Sequence, residues 1–412
     1  MKLYQYNKST LLIFAFFVSI LLMVLRRPDI LTNPQFWAED GTIWYAMAYD
    51  KGIIASLILP QNGYYQTISK LIAAFSLNFN LLYAPLIFNT SALLIRALLI
   101  VFFLSARFDY INITPRIFIS LFIVLMPELA EVHANVTNDH WYLALYLLLV
   151  LIANKPQNLF QKIHDSLAVI ICGLSGPFIV FMIPIVFAKI FSEKRLKFTK
   201  ININDYLFLI ISFVQLLTIM LTSSTTRVDT SLGASFLVLC KILTTKVYLG
   251  LWADGRFLSF LWNHNFICVI TATLCTFICL FVFFISNFAL RSAIFFATLT
   301  LGFSLAKPMV SEIYDQWPLL EFAGGRYSII PTIIWYSTFA YFLNYISKYG
   351  LKYLPWCLYI TSTICSLFFF NLPPNSNTHW PQQVKNFEKI ESGTRYEFNI
   401  NPPGWKMILI KE

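Results

Sequence analysis

Apolar runs long enough to cross a membrane recur along most of this 412-residue chain. A hydrocarbon core of about 30 Å requires roughly 20 apolar residues in each spanning helix. Hydrophobic residues make up 58% of the sequence and charged residues only 12%, a balance far from that of soluble globular domains. The sequence therefore predicts an all-α polytopic membrane protein surrounded by membrane lipids.

We predict about eleven transmembrane helices, several of them short or broken. Their approximate ranges are 11–25, 79–105, 115–127, 141–153, 166–174, 177–191, 205–222, 266–287, 291–306, 327–346 and 351–370. The clearest break is at Ser175, Gly176 and Pro177, which interrupt one continuous apolar run. Such a break is tolerated at membrane depth where protein or a watery cavity satisfies the freed backbone groups. We therefore divide this run into two short helices.

The distribution of basic residues predicts the orientation of the chain in the cell inner (plasma) membrane. Dividing the run places the lysine-bearing connections 154–165 and 192–204 on one side, as the positive-inside rule requires. The N-terminus is then cytoplasmic, and Arg26 and Arg27 lie outside against the rule. Because the net charge of +10 follows from this topology, we expect no nucleic-acid partner.

The same topology places four connections and the C-terminal tail on the extracytoplasmic side. The four connections are 26–78, 128–140, 223–265 and 307–326. Residues 1–370 are expected to form the transmembrane domain, with 26–78 as its first external loop. Residues 371–412 form the tail, which alternates apolar and polar residues in parts as strands do. A segment of this length is too short for an independent core.

Two external segments have the pattern of helices that lie in the membrane interface. In the first, apolar residues recur at the spacing of one helical face, at Ile68, Leu71, Ile72 and Phe75. The segment 234–251 has a similar pattern. Helices of this kind place their apolar face in the lipid, and the two together would roof a cavity at the outer leaflet. The alternative is a pair of ordinary re-entrant or belt helices.

Two adjacent carboxylates, Glu39 and Asp40, lie in the first external loop between Trp37 and Trp44. A carboxylate near a bilayer is costly unless it is solvated or paired, so acids at this depth mark candidate functional sites. Asp40 also precedes Gly41 and a helical pattern. The alternative role is therefore structural, with Asp40 as the cap of that helix.

The second external connection gathers hydrogen-bonding side chains that suit a polar ligand such as a sugar, among them Asn138 and His140. The alternative is that these residues cap the following helix. Glu128, Glu131 and His133 could ligate a divalent metal. Their spacing matches no tight metal-binding motif, so we expect no cofactor.

A Gly-Gly turn precedes Arg326 at the end of the fourth external connection. Such a turn frees backbone N–H groups, and the guanidinium that follows has the planar fork that suits a phosphate. We expect Arg326, together with Lys307, to hold a lipid phosphate at the outer leaflet. The alternative is that Arg326 pairs with Glu321 or extends to the interface.

The chain resembles the membrane-embedded glycosyltransferases of the C-type superfamily (GT-C). The resemblance covers most of the chain and rests on the first span, the acids of "FWAEDG", the interfacial helix "GYYQTISKL", many short spans and a terminal external segment. The pieces "NVTNDHWYLALYLLL", "GLSGPFIVFMIPI", "GGRYSIIP" and "INPPGWKM" are also similar to those of a group of bacterial membrane proteins with this plan.

The resemblance implies transfer of a sugar from a polyprenyl-phosphate donor to a glycan, lipid or protein acceptor of the cell envelope. It implies that an acid of the first external loop, Asp40 or Glu39, is the general base, and that Arg326 and Lys307 bind the donor phosphate. The expected substrate-binding residues are Tyr64, Gln66, Asn138, His140 and Tyr327. Two alternatives stay open, a transporter or flippase of lipid-linked saccharides and an envelope glycan polymerase.

Overall fold

Each of the eleven predicted spans contains a helix in the computed structural model, which describes residues 8–127, 130–192, 202–222, 230–253 and 255–412. Six of the described helices are long and apolar enough to cross a membrane: Ser9–Arg26, Leu81–Leu104, Ile203–Leu221, Asn265–Ile285, Phe288–Ala306 and Gly325–Tyr349. The architecture is therefore that expected of an all-α multi-pass membrane protein. The predicted number of eleven spans stays a prediction, because the other five helices are shorter.

The described residues form the following α-helices. In chain order they are α1 (Lys8–Arg26), α2 (Asp29–Thr32), α3 (Ala46–Lys51), α4 (Ile53–Ile58), α5 (Thr67–Ser76), α6 (Ala84–Leu104), α7 (Ile113–Leu125), α8 (Asp139–Ile152), α9 (Leu159–Gly173), α10 (Ile183–Ser192), α11 (Ile203–Leu221), α12 (Phe236–Ile242), α13 (Gly255–Trp262), α14 (Asn265–Ile285), α15 (Phe288–Ala306), α16 (Gln316–Leu319), α17 (Ile329–Ile346), α18 (Leu354–Phe368) and α19 (Trp380–Lys389). Two π-helical turns cover Asp40–Tyr45 and Leu243–Tyr248. The strands β1 (Arg395–Ile400) and β2 (Trp405–Ile410) form an antiparallel hairpin.

The break between α9 and α10 occurs where the sequence predicts it. After α9 the chain forms a 3-10 helix, Pro177–Met182, before α10 begins. Gln215 of α11 satisfies the freed backbone groups, because its Nε2 donates to the carbonyl oxygens of Gly173 at 3.2 Å and Gly176 at 2.9 Å. Its Oε1 accepts from the backbone N–H of Tyr65 at 3.0 Å. One amide thus joins the break to the first external loop.

Connections predicted to be extracytoplasmic meet at one end of the bundle. Asp40 joins the first external loop to residues 130–140, and Trp37 joins it to the C-terminal tail. Glu131 pairs with Arg326 of the fourth connection. These connections therefore share one end of the molecule, whichever side of the membrane that end faces.

Ion pairs with buried carboxylates lie at the other end of the bundle. Arg107 donates to both carboxylate oxygens of Asp165, at 3.0 and 2.8 Å. Lys189 Nζ lies 3.5 Å from a carboxylate oxygen of Asp205. These residues belong to or border connections predicted to be cytoplasmic. The two ends match the predicted division of the connections, and the cytoplasmic orientation of the N-terminus stays a prediction.

The interfacial helix predicted around residue 70 corresponds to α5, with Leu71 and Phe75 exposed. Its polar residues Ser69 and Lys70 are buried against the bundle. An exposed apolar face is what an interfacial helix presents to lipid. The second predicted segment, 234–251, divides into α12 and a π-helical turn that pack against α14. The common roof over a cavity stays a prediction.

The C-terminal tail forms a cap that shares its hydrophobic core with the first external loop. The Trp380 ring of α19 lies 5.2 Å from the Phe36 ring and 5.2 Å from the Phe398 ring of β1. Asn401 donates its backbone N–H to the carbonyl oxygen of Phe36 at 3.0 Å. The tail therefore completes its core with residues of the first loop.

Candidate functional site

An ion pair between Glu131 and Arg326 lies where the external connections meet. Glu131 belongs to the 3-10 turn Ala130–Val132, and Arg326 to the 3-10 turn Gly325–Ser328. The guanidinium Nη1 of Arg326 donates to Glu131 Oε1, and its backbone N–H donates to Oε2 at 3.4 Å. The alternative prediction that Arg326 pairs with Glu321 was wrong, because the fold brings the Glu131 carboxylate from a distant connection to this position.

The guanidinium of Arg326 is held in one orientation by further contacts. Its Nη2 donates to the carbonyl oxygen of Met309 at 2.7 Å and to Tyr327 Oη at 3.0 Å. The Tyr327 ring centre lies 4.7 Å from the guanidinium carbon. Gly324 adopts a φ of 68°, and a Cβ there would lie 2.8 Å from Leu320. The turn before Arg326 therefore requires glycine, and 26% of the Arg326 side chain stays exposed.

Glu39 is half-buried and lies within electrostatic reach of this pair. Burial raises the pKa of Glu39 above its ordinary value, the charge of Arg326 lowers it, and the charge of Glu131 raises it. The preceding residue, Ala38, has a φ of 42°, a conformation that side chains rarely adopt, and its N–H donates to Asn401 of the cap. Backbone strain of this kind concentrates at functional sites.

Asp40 is fully buried, and both of its carboxylate oxygens accept backbone hydrogen bonds. Oδ1 accepts from the N–H of Thr137 at 2.7 Å, and Oδ2 from the N–H of Val136 at 3.1 Å. Burial raises the pKa of Asp40 to about 7, although these bonds oppose the shift. The suggested capping role was wrong, because Asp40 bonds to the second external connection and Glu39 occupies the N-cap position. Asp40 fastens two connections together.

A row of aromatic rings leads from His140 to Tyr327. The half-buried His140 ring lies 5.7 Å from the Phe178 ring at an interplanar angle of 17°. The Trp141 ring lies 4.7 Å from Phe178 and 5.8 Å from Tyr327. The charge of Arg326 also acts on His140. Three of the predicted residues, His140, Arg326 and Tyr327, are therefore neighbours.

Buried arginines anchor the turn that carries Glu131. Arg96 Nη2 donates to the carbonyl oxygen of Val132 at 3.0 Å, and Arg27 Nη2 donates to that of Ala130 at 3.1 Å. Arg26 Nη1 donates to the carbonyl oxygen of Val124 at 2.6 Å. In the predicted orientation Arg26 and Arg27 depart from the positive-inside rule, and these contacts would explain it, since both bind backbone oxygens inside the protein.

The other predicted site residues have different surroundings. Lys307 directly follows α15, and its side chain is exposed. Its ammonium has no hydrogen-bond or ion-pair partner in the described part of the chain. Tyr64 pairs through its backbone with Gln61. Asn138 Nδ2 donates to Asn135 Oδ1 at 2.8 Å. This last bond shapes the connection between Glu131 and His140 rather than presenting Asn138 to a ligand.

Gln66 lies at the helix break rather than at the ion pair. It forms a backbone bridge with Ser175, and its side-chain Oε1 is buried without a hydrogen-bond partner among the described residues. A Cβ at the neighbouring Gly176 would lie 3.3 Å from the Cβ of His140. The break therefore lies beside the His140 end of the aromatic row.

The three candidate metal ligands do not come together where they can be described. Glu128 lies outside the described residues. Glu131 pairs with Arg326, and His133 Nε2 is buried 3.0 Å from the carbonyl oxygen of Met23. In the ranges that the structure covers, no group of three His, Cys, Asp or Glu side chains is placed to hold a metal.

Sequence reasoning does not find Thr137, Trp141 or Phe178 as parts of this site. Because aromatic residues make up 17% of the chain, Trp141 and Phe178 do not stand out in the sequence as parts of a site. Thr137 contributes mainly its backbone, which no side-chain pattern reveals. Comparisons of the chain with protein-family models, with curated proteins and with solved structures find no match.

Proposed function

We propose that this protein is a glycosyltransferase that moves a sugar from a polyprenyl-phosphate carrier to a glycan, lipid or protein acceptor of the cell envelope. The observation that carries the proposal is that Asp40, the neighbour of Glu39, bonds to residues 136 and 137, which joins the first external loop to the connection whose Glu131 pairs with Arg326. A base and a phosphate-binding cation are the two groups that this reaction needs. The resemblance to GT-C enzymes supplies the class of donor and the extracytoplasmic location at the plasma membrane.

Glu39 is the general base in this proposal. The acceptor hydroxyl oxygen bonds to the anomeric carbon of the sugar, and the bond from that carbon to the phosphate oxygen breaks. The hydroxyl proton passes to the Glu39 carboxylate. Asp40 is less suited to this step, because it is fully buried and both of its oxygens already accept backbone hydrogen bonds.

Arg326 binds the donor phosphate and stabilises the charge that develops on it as the carrier leaves. A guanidinium fork matches carboxylate and phosphate in the same bidentate manner. Glu131 therefore occupies the position on Arg326 that a phosphate would take, and donor binding displaces it. Lys307 adds positive charge from the exposed end of α15.

Transfer can be tested with the purified full chain in proteoliposomes that contain polyprenyl-phosphate sugars labelled in the sugar. The expected result is labelled acceptor together with released polyprenyl phosphate. Liposomes without protein are the control. Movement of the intact labelled donor across the bilayer, with no cleavage of the sugar–phosphate bond, would instead establish the flippase alternative and contradict the proposal.

A further inference from the structure

Three hydrogen bonds converge on Thr137, in the connection between Glu131 and His140. Its backbone N–H donates to Asp40 Oδ1 at 2.7 Å, and its side-chain Oγ1 accepts from Trp44 Nε1 at 2.7 Å. Its carbonyl oxygen lies 2.6 Å from His140 Nδ1. Two side chains of the first external loop thus hold Thr137 through its N–H and its hydroxyl, and its carbonyl group contacts the His140 ring.

The contact with Thr137 determines which nitrogen of His140 carries the proton. A carbonyl oxygen can only accept, so Nδ1 is the donor. A second proton would create a cation in a half-buried ring on which the charge of Arg326 already acts, which electrostatics disfavours. The ring is therefore neutral, and Nε2 keeps its lone pair. In the described part of the chain, Nε2 has no hydrogen-bond partner.

We propose that His140 Nε2 accepts a hydrogen bond from a hydroxyl group of the acceptor other than the attacking one, and that Asp40 is a positioning residue that sets this tautomer through Thr137. The inference rests on the proposed transferase function and deepens it by placing the acceptor on the His140 side of Arg326. It also gives the buried Asp40 a role that needs no contact with substrate.

The link from Asp40 through Thr137 to the His140 tautomer can be tested without any transfer assay. The full chain, labelled with ¹⁵N at the histidine ring nitrogens and held in lipid nanodiscs, should show His140 as the neutral tautomer with its proton on Nδ1. The His140→Gln variant assigns the signal. In Asp40→Asn the amide N–H₂ group faces a backbone N–H donor, so the hydrogen bonds that hold Thr137 are weakened. The His140 tautomer with its proton on Nε2 should then appear. A His140 ring protonated on Nε2 in the wild type, or an Asp40→Asn spectrum identical to that of the wild type, would overturn the role of Asp40 in setting the tautomer.

Two substitutions of His140 separate its two ring nitrogens. Glutamine places an amide near the position of Nε2, and its oxygen can accept the hydrogen bond from the hydroxyl group of the acceptor. The shorter asparagine reaches only the Thr137 carbonyl oxygen. We expect the acceptor KM of His140→Gln to stay near the wild-type value and that of His140→Asn to rise up to about tenfold, the effect of one hydrogen bond. The donor KM should stay constant in both variants.

Equal changes of the acceptor KM in the two variants would overturn the assignment of Nε2 to the acceptor. Absence of transfer in the wild-type protein with every donor would overturn both the proposed function and this contact. The NMR result would still decide whether Asp40 sets the tautomer of His140, so the two failures can be told apart.

Discussion

Glu39 and Asp40 are adjacent in sequence but have opposite surroundings. Glu39 is half-buried within reach of a charged pair, whereas Asp40 is sealed and bonded to the backbone of another connection. Successive residues of a helical turn do not face the same way, so two neighbouring acids can serve two purposes. At the residue scale, the half-buried carboxylate of Glu39 is the candidate base, and the fully buried carboxylate of Asp40 holds the two connections together.

The pH dependence of transfer should report the neighbours of Glu39. A general base acts only when ionised, so the rate falls as the pH drops through its pKa. Glu131→Gln removes a charge that raises the pKa of Glu39, and Arg326→Gln removes one that lowers it. Profiles of kcat/KM against pH should therefore show the acid limb at lower pH in Glu131→Gln and at higher pH in Arg326→Gln. Shifts in the same direction would contradict this electrostatic coupling.

Asp40 should make the stability of the protein depend on pH. Its pKa rises from an ordinary value of 3.8 to about 7 in the folded state, so the folded state binds the proton more tightly. Its contribution to the free energy of unfolding is complete below pH 3.8 and is lost by about pH 7 as the pH rises. Thermal unfolding midpoints should fall across this window in the wild type and stay flatter in Asp40→Asn. Equal slopes of the unfolding midpoint against pH in the two proteins would refute the assignment of this pH dependence to Asp40.

At the scale of elements, the break between α9 and α10 depends on one glycine. Gly176 has a φ of 132°, and a Cβ there would lie 3.3 Å from that of His140. Gly176→Ala should cost about 1–3 kcal/mol of stability, the range of a strained backbone. Gly302 of α15 is the matched control, because a Cβ there meets no atom within 4 Å. Gly302→Ala should leave the thermal midpoint unchanged or raise it, and equal losses in both variants would disprove the role of Gly176.

Local sequence patterns predicted the helices and their break, but not how they pair. Apolar runs fix where helices form, and the Gly-Pro step marks where one must stop. The pairing of Arg326 with Glu131 joins residues that are 195 positions apart, whereas the expected partner Glu321 is a sequence neighbour. Periodicity contains no information on such long-range contacts. For the same reason it predicted the existence of α5 but not that Lys70 would face the protein.

At the scale of the whole molecule, the C-terminal cap should depend on Trp380. This side chain is 1% exposed in the core shared with the first external loop, and its removal should cost about 3–5 kcal/mol. Trp380→Ala should lower the thermal midpoint and speed protease cleavage within residues 371–412. Trp405, which is 39% exposed, is the control, and Trp405→Ala should change little. Similar behaviour of the two variants would contradict a shared core.

The site exists only in the assembled molecule, because its parts come from segments far apart in the chain. The first external loop supplies Glu39, the turn after α7 supplies Glu131, and the turn before α17 supplies Arg326. The cap adds Asn401, which holds the strained backbone beside Glu39. This convergence at one end of the bundle is what the proposed transferase function depends on.

The rate of sugar transfer by Glu39→Gln tests this account most directly. It should be measured in membranes supplied with a polyprenyl-phosphate sugar, at protein levels matched to the wild type. The matched control is Glu312→Gln, which removes an exposed carboxylate from the same end of the molecule. The account predicts a loss of at least about a hundredfold in Glu39→Gln, the usual effect of removing a general base, and a wild-type rate in Glu312→Gln. A wild-type rate in Glu39→Gln would contradict it.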